Sequence, residues 1–147
     1  MKILSRYSED TYFYLVRNYL GIVTTPFHKP QLTARLSQFF SQKAHRNRML
    51  EMLDELDLVI LSLLSVTGPL ASEAVMDLLK GAYGYGTVLR RVANLQERLV
   101  LLTDEGNLIF NPILSDELTA RCSLRPLFGE GEQQLSDSPY CGTEFLR

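Results

Sequence analysis

The sequence predicts a mainly α-helical chain, with a helical N-terminal half followed by three further helices and a short two-stranded β-hairpin. Three observations carry that expectation. Apolar residues recur at helical spacing in successive segments from Tyr12 to Leu99. Capping residues and Gly or Pro stops punctuate those segments. Finally, the stretch Leu99 to Pro112, LVLLTDEGNLIFNP, sets two apolar runs on either side of the polar tetrad Asp104-Glu105-Gly106-Asn107. That is the pattern of a hairpin.

The elements follow in chain order. Ser8 is a good helix N-cap with acids behind it, Tyr12, Leu15, Val16, Tyr19 and Leu20 share a helical face, and Gly21 is placed to end the helix. IVTTPFHKP is an extended connector bracketed by two prolines, and Pro30 opens a helix with the stripe Leu32, Leu36, Phe39 and Phe40. An amphipathic helix is expected at about His45 to Leu53. Asp54 caps the next, ELDLVILSLLSVTG, which is apolar enough to be a central core helix and stops at Gly68-Pro69. Ser72 is expected to cap a short helix ending near Gly81, AYGYG to be a tight connector, and Thr87 to cap the helix VLRRVANLQERL that leads into the hairpin. Helix, helix, helix, two-stranded wing is the winged helix-turn-helix arrangement. The expected division is a basic helical region at residues 1–53, a winged-helix domain at 54–114 and an acidic, weakly patterned tail at 115–147. One more short helix is expected in the stretch NPILSDELTARCSLRPLF, which runs from Asn111 into that tail.

Composition narrows the function classes. The chain has 147 residues, 46% hydrophobic and 22% charged, with a net charge of −2. It is therefore ordinary globular material and not a polycation. No apolar run approaches the roughly 20 residues of a membrane span, and the N-terminus lacks a signal peptide's apolar core, so no membrane role and a cytoplasmic location are expected. Cys122 and Cys141, both in the tail, are then expected as thiols. His28 and His45 have no ligand-spaced companions, so no metal is expected. GAYGYGT has the glycines of a phosphate loop but neither a preceding strand nor a following lysine. No nucleophile–base pair, paired catalytic acids or catalytic motif appears. The expectation is a protein that is not an enzyme and needs no cofactor.

Charge is distributed unevenly. From Thr11 to Leu50 there is no acid, whereas Glu51, Asp54, Glu55 and Asp57 follow within seven residues. On the third helix of the winged unit, Val88, Val92, Leu95 and Leu99 fall on one side at about 100° per residue. Thr87, Arg90, Arg91, Asn94 and Arg98 fall on the other. Arg forks read guanine edges and phosphates, and Asn pairs with adenine, so this is the face that would meet duplex DNA. The alternative is a solvated face. Lys29, Arg35, Lys43, Arg46 and Arg48 would add phosphate contacts, or else pair with the acidic block or the acidic tail; Arg48 and Glu51 have the spacing of a helical ion pair. Asp104 and Glu105 at the wing tip would repel phosphates. A protein partner or a second copy is the competing expectation, docked through the hairpin or through Tyr7, Tyr12, Phe13, Tyr14 and Tyr19 unless those aromatics are core.

The N-terminal half also carries a resemblance. YLVRNYLGIVTTPFHKPQLTARLSQFF resembles the SAP-type helix–extended loop–helix motif, with Lys29, Leu32, Arg35 and Leu36 at the matching positions and a longer spacer holding two prolines. A SAP-like segment, a helical connector and a winged helix in that order is similar to the N-terminal accessory region of XPB-type helicase-like proteins. The resemblance implies a DNA-binding or scaffolding module. No Walker loop or DEAD-type box accompanies it in these residues.

Overall fold

The structure is a computed structural model and describes residues 2–21 and 28–122. A short 3-10 helix, Lys2–Arg6, leads into α1 (Glu9–Leu20), α2 (Lys29–Ser41) and α3 (Lys43–Glu51). Then come α4 (Glu55–Thr67), β1 (Leu70–Ala71), α5 (Ser72–Tyr83), α6 (Tyr85–Glu97), β2 (Leu101–Asp104), β3 (Asn107–Phe110) and α7 (Ser115–Arg121). The chain is mainly helical, as its periodicity predicts, with one small antiparallel sheet of order β1-β3-β2.

Several local signals act as expected. The Ser8 side chain accepts from the Thr11 amide, and Gly21 ends α1 at φ 73°. At the start of α4, Asp54 and Asp57 form a reciprocal capping box, each side chain accepting the other's backbone N–H, and Gly68 closes the helix at φ 80°. A cap of this kind is worth about 1 kcal/mol. The hairpin turns through Glu105 and Gly106, both at positive φ, which is the two-residue turn whose twist matches paired strands.

Other boundaries differ. The expected two-stranded hairpin gains a third strand, because Leu70 and Ala71 pair with Leu108 and Asn107; two residues are too short to show an alternating pattern. Ser72 is the first residue of α5 and makes no side-chain cap. That helix runs through Gly81 to Tyr83, which packs partly buried against the core beyond the buried face of Val75, Met76 and Leu79. The connector reduces to Gly84 at φ 81°, which serves as C-cap of α5 and N-cap of α6. Thr87 thus lies within the first turn of α6 rather than at its cap. The third helix of the N-terminal half begins at Lys43 and ends at Glu51, earlier than His45 to Leu53.

One buried apolar cluster extends from Leu4 to Leu118, drawing on α1, α2, α4, α5, α6, the sheet and α7. At about 1.5–3 kcal/mol per fully buried aliphatic side chain, this continuous core ties together the segments before and after Asp54. Tyr12 and Phe40 are fully buried in it, so Tyr12 is core. Tyr14, at 53% exposure, is not.

Candidate functional site

Helix α6 and its C-cap Arg98 carry half of the residues singled out for binding, and α2 and α3 carry the rest. Val88, Val92 and Leu95 bury one face and so aim the opposite face outward. Thr87, Arg90 and Asn94 are exposed there. The two remaining arginines are not free. Arg91 Nη2 lies 2.8 Å from Asp54 Oδ2, and its Nε is 3.5 Å from Asp57 Oδ1. Arg98 Nη1 lies 3.5 Å from Asp57 Oδ2, and its Nη2 donates to the Met49 carbonyl at 3.2 Å. The expected single solvent face with three arginines therefore holds one, Arg90. The flank of α6 that packs beside the start of α4 takes the other two.

Asp57 is the centre of this cluster. Its side chain is fully buried, Oδ2 accepts the Asp54 amide, and Oδ1 meets no hydrogen-bond donor in bonding geometry. Burial pushes its carboxyl above the usual range, while its hydrogen bond with Asp54 and the charges of Arg91 and Arg98 pull it back. A buried carboxylate needs such partners, so the arginines are the condition for keeping an acid there. Nearby, the Tyr19 hydroxyl donates to the Arg98 carbonyl, fixing α1 to the end of α6. Burial raises the Tyr19 phenol well above its ordinary value against the opposing pull of Arg98.

The N-terminal basic residues divide in the same way. Lys29 donates to the carbonyls of Ser5 and Tyr7 and lies 4.8 Å from the centre of the Tyr12 ring. Arg46 pairs with Glu117 of α7 at 2.9 Å and donates to the carbonyls of Phe40 and Ser41. Arg35, Lys43 and Arg48 are exposed and make no ion pair with a described residue, so the Arg48–Glu51 bridge that spacing allows is not formed. Of the SAP-like positions, Leu32 and Leu36 are core and Arg35 faces solvent. The spacer from 22 to 27 and the tail from 123, Cys141 included, lie outside the described residues. Cys122 is half-buried, and its thiol is hydrogen-bonded to Ser62 and raised in pKa by burial.

The opposite flank of α6 is open. A groove of about 600 Å³ lies between the 3-10 helix and α1, the second half of α6, and the hairpin tip. Thr11, Tyr14, Leu15 and Ala93 contribute to its lining, together with Glu97, Asp104 and Glu105. Asp104 is held by Arg6 at 2.9 Å. The Tyr7 hydroxyl accepts the Thr103 amide on the outer edge of β2. The sequence points to Asp104 and Glu105 but not to the groove itself, which exists because the N-terminal segment returns to α6 and to the hairpin, as the Tyr14–Glu97 hydrogen bond (separation 83) and the Tyr7–Thr103 bond (separation 96) record.

A family model described as the TP_0021_N N-terminal domain matches residues 1–41. That stretch comprises the 3-10 helix, α1, the connector and α2. No curated protein and no solved structure matches the chain. Among the described residues there is no cluster of His, Cys, Asp and Glu fit to hold a metal, and no helix is long and apolar enough to cross a membrane.

Proposed function

We propose that the chain is a non-catalytic winged helix-turn-helix module whose work is to dock a protein partner. The order α4, β1, α5, α6, β2, β3 supports the winged-helix reading. One observation carries the preference for protein: Arg91 and Arg98, which a DNA reader would present to phosphates, are held by Asp54 and Asp57 instead. Neutralising them lowers the local positive field on which backbone affinity for DNA depends. The same reading is compatible with a scaffolding accessory region like those of XPB-type helicase-like proteins. Fluorescence anisotropy with a labelled duplex at two salt concentrations is the test. Little salt-dependent binding is expected at low salt, and tight binding that falls steeply with salt would sink the proposal.

A second reading, duplex DNA, has its own observation. Thr87, Arg90 and Asn94 remain exposed together on α6, and Arg35, Lys43 and Arg48 are exposed elsewhere. On that reading Arg90→Ala lowers affinity without changing stability.

A further inference from the structure

We infer that the groove between α1, α6 and the hairpin tip seats a short basic segment of a partner protein, an apolar side chain on its floor and Lys or Arg against its acidic rim. This rests on the protein-docking reading above and names the partner's chemistry.

Charge complementarity argues for it. Four charged side chains line the groove: Arg6, Glu97, Asp104 and Glu105. The Arg6–Asp104 pair cancels itself. Glu97, at the end of α6, and Glu105, at the hairpin tip, are left, exposed and with no ion-pair partner among the described residues. Glu97 has only a 3.4 Å hydrogen bond from the Tyr14 hydroxyl. Between them Tyr14, Leu15 and Ala93 give an apolar floor. An apolar floor with a few convergent polar groups is the layout of a ligand-binding groove.

The way the occupant is held also follows. β2 is an edge strand of the sheet and the one that borders the groove, and a partner could in principle add a strand to it. The Tyr7 hydroxyl already takes the Thr103 amide, so one ladder position of that edge is occupied and recognition through side chains is favoured. Glu105 is a further sign. It sits at φ 49° in the turn, where Asn, Asp or Gly would be less strained. A charged residue kept at a strained tip, facing an open groove, fits a binding role.

The test is selection of a displayed random-peptide library on the full chain, then affinity measurement of a recovered peptide on two variants. Recovered sequences are expected to carry Lys or Arg flanking Leu, Ile or an aromatic. Glu97→Lys with Glu105→Lys should weaken binding about tenfold or more. Glu105→Asn should weaken it about threefold while raising the melting temperature, because it relieves the turn, a combination that a purely structural Glu105 would not give. Peptides that are neutral or acidic, or whose binding survives charge reversal, overturn this proposal and leave the protein-docking reading standing. No recovered peptide together with salt-dependent duplex binding overturns both. Dimerisation of the chain, by light scattering, that the same charge reversal abolishes would assign the groove to a second copy instead.

Discussion

The two flanks of α6 are built on opposite principles. Toward α4, charge is buried and satisfied: Arg91 and Arg98 converge on Asp57, with Asp54 and the Met49 carbonyl completing the set. Toward the hairpin, charge is exposed and only partly answered, over an apolar floor. Thus the same residue type means different things a few positions apart. Arg90 and Arg91 are neighbours in sequence, yet one is surface and the other is a tie between helices. A run of arginines on a helix is therefore evidence of a nucleic-acid face only after its internal partners have been counted.

The sharpest way to break this contrast is to remove its centre. Asp57→Ala should cost about 2–4 kcal/mol, because it leaves two guanidinium groups without their buried partner and removes half of the capping box. Urea unfolding followed by circular dichroism measures this, and a loss under about 0.5 kcal/mol would show that the cluster is only decoration. Next in size, Arg98→Ala should cost about 1–3 kcal/mol, since its side chain is only 19% exposed and bonds the Met49 carbonyl. Arg90→Ala, on the exposed ridge, should stay within about 0.5 kcal/mol. Equal losses at the two positions would erase the distinction between the buried tie and the exposed ridge.

The smallest effect is in pH. Asp57 has a raised carboxyl pKa in the folded chain, chiefly through burial. The folded state therefore holds this proton more readily than the unfolded state. As pH falls from neutral through the raised value toward the usual carboxylate range, wild type should gain stability relative to Asp57→Asn; as pH rises through the raised value that gain is lost. Melting both proteins across that window checks the sign. The opposite trend would mean that Arg91 and Arg98 outweigh burial and hold the carboxyl below its usual value.

How much of this was legible in the sequence depended on how far apart the interacting residues lie. Ser8, Gly21, Asp54 and Gly68-Pro69 act within a turn or two, and each does what its local chemistry suggests. β1 was hidden because its partner Leu108 is 38 positions away from Leu70 and the strand is only two residues long. The boundary between α5 and α6 is not legible from propensity, which would stop α5 at Gly81, because packing of Tyr83 on the core carries the helix beyond it. Asp57 does leave a trace in the sequence. It falls three, four and seven positions before Ile60, Leu61 and Leu64, on the apolar stripe of α4 and not on its polar side. An acid on a buried stripe asks for a partner, but only the fold shows that the partners are Arg91 and Arg98. The groove left no trace at all, since its walls come from three separate parts of the chain.

The bond from the Thr103 amide to the Tyr7 hydroxyl spans 96 positions, and the Arg6–Asp104 pair spans 98. On a ribosome the outer strand of the hairpin is therefore made long after the residues that seal its edge. Closing so long a loop is entropically slow. Until it closes, β2 presents an open row of backbone donors and acceptors to any neighbouring chain. Loss of the Tyr7 hydroxyl should thus show itself during refolding, as aggregation at high protein concentration, more clearly than in the equilibrium stability of the finished molecule.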